Sequence, residues 1–367
     1  MRNQYPKIDK IFLTSIILLT VIGFLIFSSA SLGLLAREGA SYESVAIKQF
    51  IGLILGCVAF IVMSKIPYNN LKKYSFYIFI FAIIINLLLF IPFISVSHGG
   101  ASRWIDLGPI TFQPSEFLKI AFIIYFSAWL YSAREKVATF KHGIVPYLVI
   151  LMVLSILLLS QSDTDTLVVI AATGIVMLFV AGAKIKDIMI LGSILLCLVG
   201  IVITVRPYAR QRIMTFLNPT VSSQGSGYQI QQSLIAIGSG GLTGRGFGQS
   251  IQKFNYLPEP IGDSIFAVQA EEFGLIGSVG IIILFLFFLF KSIKISSRVE
   301  DRFGGLLVLG IAILIIIESF MNISSMLGII PLSGMPLLFV SHGGTALIIT
   351  LGAVGIIANV SRYQKTI

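Results

Sequence analysis

Four carboxylates lie close together in the segment 256–274, YLPEPIGDSIFAVQAEEFG, of a chain that has only 16 acidic residues in 367. They are Glu259, Asp263, Glu271 and Glu272. The uncharged run LIGSVGIIILFLFFLF follows directly, so this acidic segment marks a solvent boundary. Carboxylates in such a position can accept a proton from an alcohol or bind a metal ion.

A second polar segment, GGASRWIDLGPITFQPSEFLKI, leads into another apolar run and contains Arg103 and Trp104. Glu116 and Lys119 follow within the run, three residues apart, and therefore share one face of a helix. Ionisable groups inside an apolar span usually face the protein interior or a water-filled cavity and tend to be functional. A purely structural ion pair is the alternative interpretation.

Further polar residues flank other apolar runs. The turn QSDTDT contains Asp163 and Asp165, and PLSGMPLLFVSHGG contains Ser341 and His342. Three arginines begin the longest loop, namely Arg206, Arg210 and Arg212. This mixture suits a lipid-anchored, anionic substrate, because cations can neutralise phosphates while a carboxylate transfers a proton or binds a metal.

The composition identifies the surroundings in which these residues lie. Hydrophobic residues make up 56% of the chain, charged residues 11%, and the mean hydropathy is +0.96, which is typical of a polytopic membrane protein. Continuous apolar runs predict a helical bundle and argue against a barrel. Ten runs reach or approach spanning length, at 11–31, 46–64, 74–93, 114–132, 145–160, 165–182, 187–205, 272–290, 305–323 and 338–360. The fold class predicted is an all-α polytopic membrane protein with about ten transmembrane helices, forming a single domain over 1–367.

The distribution of Lys and Arg predicts the orientation. If the N-terminus is cytoplasmic, 17 of the 26 basic residues fall in cytoplasmic segments, which places both termini inside. The first apolar run, 11–27, is longer than the core of a signal peptide and is interpreted as an uncleaved span. The net charge of +10 then reflects topology and contact with anionic membrane lipids, and it does not indicate nucleic acid.

One loop, 206–262, is 57 residues long and is predicted to be a large, folded extracytoplasmic loop between spans 7 and 8. Its stretch QIQQSLIAI predicts one short amphipathic helix with Ile230, Leu234 and Ile237 on one face. The stretch GSGGLTGRGFG lacks the lysine of a phosphate-binding loop. It is better explained by turns in which the backbone packs closely.

The same segments carry a resemblance over almost the whole chain. GGASRWIDLGPITFQPSEFLK, the QSDTDT turn, RIMTFLNP with GSGYQIQQSLIAIGSGGLTGRGFG, YLPEPIGDSIFAVQAEEFGLIG and IPLSGMPLLFVSHGG occur in one order. They resemble the signature segments of the SEDS (shape, elongation, division, sporulation) family of bacterial cell-wall glycosyltransferases. The segment SIQKFNYLPEPIGDSIFAV is more similar to the division member of this family than to its elongation member.

The resemblance implies polymerisation of lipid II in the bacterial cytoplasmic membrane, with release of undecaprenyl diphosphate. Asp263 matches the essential aspartate of the family, which implies a general base acting on the acceptor 4-hydroxyl. Lys119, with Arg103 or Arg210, would neutralise diphosphate charge. The residues implied to bind substrate are Arg103, Trp104, Glu116, Lys119, Asp163, Arg210, Glu259 and Ser341.

The resemblance also implies a divalent cation, Mg or Mn, that helps the leaving group, without indicating its ligands. It implies a class B penicillin-binding protein, a transpeptidase with one span, as partner, together with other division proteins. A role in cell division follows from the same similarity.

Several residues keep two interpretations. Glu259 is a substrate or metal contact or a solvated loop carboxylate, and Glu271 and Glu272 are site residues or charges that favour a helix N-terminus. The chain also departs from the family. Ser162 and Asp165 replace a usual proline and glycine, His342 replaces a tyrosine, and Ile261 and Gly262 replace a histidine and a threonine. A histidine such as His342 is expected to be a hydrogen-bonded packing residue more often than a ligand.

Two functions of other classes compete with a glycosyltransferase. A lipid-linked precursor flippase or transporter would place its site near the bilayer midplane, often at broken helices between repeated halves. The sequence shows no obvious internal repeat, and most charged residues cluster away from mid-span, with Glu318 as the main exception. A noncatalytic scaffold for cell-wall enzymes would not need an ionisable Asp263.

Overall fold

The computed structural model describes residues 7–36, 42–91, 95–98, 101–106, 111–205, 207–218 and 225–365. These ranges contain twelve α-helices and one small antiparallel sheet. The helices are α1 (Lys10–Ser31), α2 (Tyr42–Lys65), α3 (Tyr68–Leu87), α4 (Pro114–Ala133), α5 (Phe140–Ser160), α6 (Thr164–Val180), α7 (Ile185–Val205), α8 (Pro207–Leu217), α9 (Ser226–Ser239), α10 (Ile265–Arg298), α11 (Arg302–Met326) and α12 (Gly344–Val360).

Within the described ranges, nine of these helices are long and apolar enough to cross a membrane, and the chain is a multi-pass membrane protein. Each of the ten predicted runs contains a helix within its described residues, although the last helix begins at Gly344 rather than at 338. The helix α6, with 17 residues, is shorter than a full span. The prediction of ten spans is therefore corrected to nine long helices and one short one. The helix is short because Asp163 caps its start and a turn at Gly182, with φ of 99°, follows its end.

The fold is not entirely α-helical. A three-stranded antiparallel sheet, in the order β1 (Ser95–His98), β2 (Ala101–Asp106) and β3 (Thr111–Phe112), lies between α3 and α4. The sequence does not predict these strands, because they are too short and too polar to show a clear alternating pattern. Thr345 at the start of α12 donates a hydrogen bond to the carbonyl of Thr111 at 2.5 Å, which ties the sheet to the bundle.

The described part of the loop, 207–218 and 225–262, contains two helices, where one was predicted. The amphipathic helix α9 forms as expected, with Ile230 buried and Ile237 packed against the core. Leu234, also predicted on this face, is 44% exposed, whereas the polar Gln229 and Ser233 are buried. The second helix, α8, was not predicted, because its 11 residues include two arginines and are too few to show a clear helical period. The placement of this loop outside the cell stays a prediction.

The glycine-rich segment 240–246 packs backbone to backbone against a break in α10. Gly274 has φ of 64° and ψ of −162°, which interrupts the helical hydrogen-bond pattern. The segment replaces the lost bonds in both directions. The amides of residues 245 and 246 donate to the carbonyls of residues 271 and 272 at 3.0 and 2.9 Å, while the amides of residues 275 and 276 donate to the carbonyls of residues 241 and 242 at 2.9 and 3.1 Å. The predicted close backbone packing is confirmed.

The break also decides where Glu271 and Glu272 lie. They end the first helical part of α10, so the interpretation that they stabilise a helix N-terminus is wrong. Both side chains are buried. Glu272 accepts from Lys253 Nζ at 2.7 Å and contacts Ser29 Oγ at 2.7 Å, and Glu271 accepts from Ser250 Oγ at 2.5 Å. The two carboxylates therefore hold the end of the long loop against α1 and α10.

We expect Gly274→Ala to destabilise the protein strongly. A Cβ at this position would lie 2.4 Å from the amide nitrogen of Gly244 and 2.6 Å from the carbonyl oxygen of Leu242. The backbone conformation of Gly274, φ of 64° and ψ of −162°, is almost exclusive to glycine and adds about 1–3 kcal/mol of strain for alanine. The measurement is the thermal unfolding midpoint in detergent.

Gly280→Ala is the matched control, because its Cβ would meet nothing within 4 Å on the same helix. An alanine at 280 should leave the midpoint unchanged or raise it, since alanine favours the helix by about 1 kcal/mol over glycine. Equal midpoints for the two variants would contradict the packing described for the break.

Candidate active site

Asp263 lies in the turn that leads into α10, at the end of the bundle where α6 and α10 begin and α11 ends. Its Oδ1 accepts a hydrogen bond from Gln229 Nε2 of α9 at 3.2 Å. Its backbone carbonyl accepts from Asn322 Nδ2 of α11 at 2.7 Å. Two helices thus hold the main chain and the carboxylate of Asp263 separately, and the carboxylate cannot swing freely.

The surroundings of Asp263 favour its protonated form. Burial, with a smaller contribution from the nearby Glu259 carboxylate, raises the pKa of Asp263 to about 7, although the Gln229 hydrogen bond and the Arg212 charge act in the opposite direction. A carboxylate whose pKa lies near the working pH is suited to accept a proton from a hydroxyl group. This property distinguishes Asp263 as a candidate base.

Glu259 stabilises the same turn through its main chain. Its φ is 46°, and its carbonyl accepts from the amides of Gly262 at 3.0 Å and Ser264 at 3.2 Å. The side chain is exposed. The carboxylate therefore stays accessible to a ligand, and its role in substrate or metal contact stays a prediction.

Ser341 and His342 support this turn from the segment 331–343 that precedes α12. Ser341 Oγ donates to the carbonyl of Gly262 at 2.8 Å, and the amide of His342 donates to the carbonyl of Ile261 at 2.7 Å. Ser341 was predicted to bind substrate; the structure places its hydroxyl on the protein backbone. Ile261 and Gly262 take part through their main-chain carbonyls, which any residue has. The two contacts therefore do not depend on the side chains that depart from the family pattern.

The His342 ring packs inside the protein. It stacks on Phe27 with 5.7 Å between ring centroids, and Nδ1 lies 3.1 Å from Gln49 Oε1. Burial, followed by the charge of Lys48, lowers the pKa of His342 to about 4, so the ring is neutral at physiological pH. The contacts agree with the predicted hydrogen-bonded packing role.

Lys119 is buried between two carboxylates. Its Nζ lies 2.9 Å from Glu116 Oε1 on the same helix and 2.5 Å from Glu318 Oε2 on α11. The predicted pair is thus part of a triad, and Glu318 completes it. Both of these cation–anion contacts are with the protein, so the structure does not show Lys119 facing a diphosphate, and that role stays a prediction.

Arg103 and Asp163 lie together where β2 meets the start of α6. The Arg103 guanidinium donates to the carbonyl of Ser162, and its Nη1 lies 3.9 Å from Asp163 Oδ1. Asp163 is buried and caps α6 by accepting from the Thr166 amide at 3.4 Å. Trp104, half-buried, is paired with Val96 in the sheet. Arg103 and Asp163 are therefore close in space, and the substrate-binding role of these three residues stays a prediction.

The arginines of α8 divide between solvent and the site. Arg210 is exposed, whereas Arg212 Nη1 lies 2.8 Å from both carboxylate oxygens of Asp165. Asp165 Oδ2 also accepts from the amide of Gly334 at 3.3 Å. The sequence predicts no role for Asp165, and it favours Arg210 over Arg212 as a substrate-binding residue. Spacing alone does not show which face of α8 is buried.

Other residues around Asp263 were also missed. Gln229 and Asn322, which hold Asp263, were not among the predicted site residues. For Asn322 a usable signal existed, because a polar amide near the end of an apolar helix normally has a specific partner. Gln229 gave no comparable signal, since glutamine is frequent in exposed loops.

A protein-only site for a divalent cation does not form in the part of the chain that the structure describes, where no three His, Cys, Asp or Glu side chains are placed to hold one. Most buried carboxylates face a cation of the protein: Glu116 and Glu318 face Lys119, Glu272 faces Lys253, and Asp165 faces Arg212. The residues present therefore do not fit a dedicated Mg or Mn cage, and the cation stays a prediction.

Comparison with known proteins agrees with this architecture. Residues 9–366 match the family model described as cell cycle protein, FtsW/RodA/SpoVE. The chain is 37% identical over 365 residues to the probable peptidoglycan glycosyltransferase FtsW of Geobacter metallireducens, covering 99% of this chain and 97% of that protein. It is also 37% identical over 366 residues to stage V sporulation protein E of Bacillus subtilis, covering 100% of both chains.

A solved structure has the same fold. A chain from a peptidoglycan synthase complex that coordinates polymerization and crosslinking superposes with a TM-score of 0.80 at 22% identity, covering 97% of this chain and 98% of that chain. The identity is too low to transfer more than the fold. The match of the family model over nearly the whole chain, with relatives at 37% identity, shows that this protein belongs to the FtsW/RodA/SpoVE family of cell cycle proteins.

Proposed function

We propose that this protein is a peptidoglycan glycosyltransferase that polymerises lipid II into glycan strands, in cell division. The observation that carries the proposal is Asp263: its carboxylate accepts from Gln229, its main-chain carbonyl accepts from Asn322, and burial raises its pKa to about 7. The relative from Geobacter metallireducens, named a probable peptidoglycan glycosyltransferase, supports the reaction class.

In the proposed reaction the 4-hydroxyl of one lipid-linked disaccharide attacks the anomeric carbon of the growing, lipid-linked chain. The new carbon–oxygen bond forms as the bond to the diphosphate oxygen breaks, and the hydroxyl proton passes to the carboxylate of Asp263. Undecaprenyl diphosphate carries away the bonding electrons. A positioned base contributes about 10²–10⁴-fold to such a step.

The cations predicted to bind the diphosphate differ in whether the protein already provides a partner for their charge. Arg210 is exposed on α8 and is able to reach a diphosphate without breaking an existing ion pair shown within the protein. Lys119 and Arg103 have protein partners already. We therefore assign the direct diphosphate contact to Arg210, while Lys119 maintains the interior charge balance.

The broken helix α10 is a feature that favours a transporter, because transporter sites often lie at discontinuous helices. The backbone groups released at Gly274 are, however, bonded to residues 241–246. They consequently offer little to a transported ion. A noncatalytic scaffold gives no reason for a carboxylate to be held in a buried setting that raises its pKa.

We also propose a class B penicillin-binding protein as partner, alongside other division proteins, because a glycan strand must be crosslinked as it emerges. The related fold in a peptidoglycan synthase complex supports such an assembly. Membrane lipids contact the apolar outer faces of the spans, and partner helices would pack on similar faces through van der Waals contact. Nucleic acid is not part of the proposal.

The proposed site requires the loop 206–262 to lie outside the cell, with both termini in the cytoplasm. The side chain of Tyr256 in this loop is 54% exposed. In a variant without Cys57 and Cys197, a cysteine introduced by Tyr256→Cys should therefore react with a membrane-impermeant maleimide added to intact cells. Lys136→Cys, which is also exposed, should react only after lysis. The reverse pattern would exclude this orientation.

Asp263→Asn should reduce polymerisation of lipid II by about 10²-fold or more, since the amide keeps the shape but cannot accept the proton. Binding of lipid II should stay near that of the wild type. The wild-type rate should rise with pH through about 7, as the carboxylate loses its proton. Turnover, affinity and the pH profile are measured side by side in a gel-based polymerisation assay.

The exposed Glu135→Gln is the control for this experiment, and its activity should match the wild type. An active Asp263→Asn variant would rule out the base. Loss of lipid II binding would instead move Asp263 to substrate or metal contact.

Lys119→Met should also lower polymerisation sharply, because it leaves Glu116 and Glu318 buried without a counter-charge. Breaking one partner of a buried ion pair costs about 3–5 kcal/mol, so stability must be measured together with activity. The variant with Lys119→Met, Glu116→Gln and Glu318→Gln removes that penalty. If it restores the melting temperature but not turnover, the charges serve the reaction; if it restores both, the triad is structural.

A further inference from the structure

The carboxylate of Asp165 joins three separate elements. Through Arg212 it connects α6 to α8, and through the amide of Gly334 it connects α6 to the segment 331–343. The contact with Arg212 is bidentate, at 2.8 Å to each oxygen, and both side chains are largely buried, at 16% and 11% exposure. A geometry of this kind orients a guanidinium as well as neutralising it.

The contacts of Asp165 continue to Asp263. Next to Gly334, the carbonyl of Met335 accepts from Asn322 Nδ2 at 2.7 Å, and the same amide group donates to the carbonyl of Asp263 at 2.7 Å. Arg212 is also close enough for its charge to act on Asp263. The Arg212 guanidinium and the Asp263 main chain are therefore located by one connected set of bonds.

We propose that Asp165 is a positioning residue: it holds the Arg212 cation beside Asp263 and fixes the segment 331–343 against the same turn. The inference rests on the proposed function, because the cation would keep the base ionised. The charged groups that act on the Asp263 carboxylate are Glu259, which acts more strongly, and Arg212. Gln229 from α9 and Asn322 from α11 are uncharged.

A purely structural ion pair would connect α6 to α8 equally well with its charges exchanged. The discriminating variant therefore combines Asp165→Arg with Arg212→Asp. It should recover most of the melting temperature lost by Asp165→Asn or Arg212→Gln alone. It should not recover turnover, since a carboxylate now lies beside Asp263.

The pH profile of polymerisation gives the second measurement. The Arg212 charge lowers the pKa of Asp263, so its loss in Arg212→Gln should move the acid limb of the profile to higher pH. The exchanged pair should move it at least as far. Arg212→Lys keeps the charge and should leave the limb in place. A limb that moves in Arg212→Gln but not in Arg212→Lys supports the positioning role even if the exchanged pair does not fold.

Glu300→Gln is the matched control, because it removes an exposed ion pair in which Lys365 Nζ lies 3.2 Å from Glu300 Oε1. It should change neither turnover nor the profile. Wild-type turnover and an unmoved acid limb in the exchanged pair or in Arg212→Gln would overturn the positioning role while the proposed function stands. An inactive wild type would overturn the proposed function and this inference together.

Discussion

The break in α10 at Gly274 is the constraint on which the rest of this structure depends. Backbone amides and carbonyls in an apolar surrounding must be hydrogen-bonded, and a broken helix leaves several of them without partners. Here the segment 240–246 supplies the missing bonds from outside the helix. The end of the long loop is therefore fixed to α10, and Asp263, which lies between the two, is fixed with them.

The turn around Asp263 is held mainly through its backbone. The carbonyls of Ile261, Gly262 and Asp263 accept bonds from His342, Ser341 and Asn322, which lie far away in the chain. Such contacts tolerate changes of side chain, because any residue has a carbonyl. This explains how the turn can carry Ile261 and Gly262 where relatives are expected to have other residues, while the carboxylate stays in place.

Charge compensation separates Asp263 from the other buried carboxylates. Glu116, Glu272 and Glu318 lie within 3 Å of a lysine ammonium, which offsets the large cost of burying a charge. Asp263 instead accepts a bond from the neutral amide of Gln229 and feels Glu259 nearby. Its negative charge is only partly compensated, and its affinity for a proton is correspondingly higher. A proton acceptor needs this property, whereas a structural ion pair does not.

The sequence by itself determined the membrane class, the positions of the apolar helices and Asp263 as the candidate base. These features depend on hydrophobic runs and local motifs, which involve neighbours in the chain. Tertiary structure decided the partners of Lys119 and Asp165, the roles of Gln229 and Asn322, the small sheet, and the break at Gly274. Each of these depends on contacts between residues distant in sequence, such as Lys119 with Glu318, and no local pattern specifies which distant groups will meet.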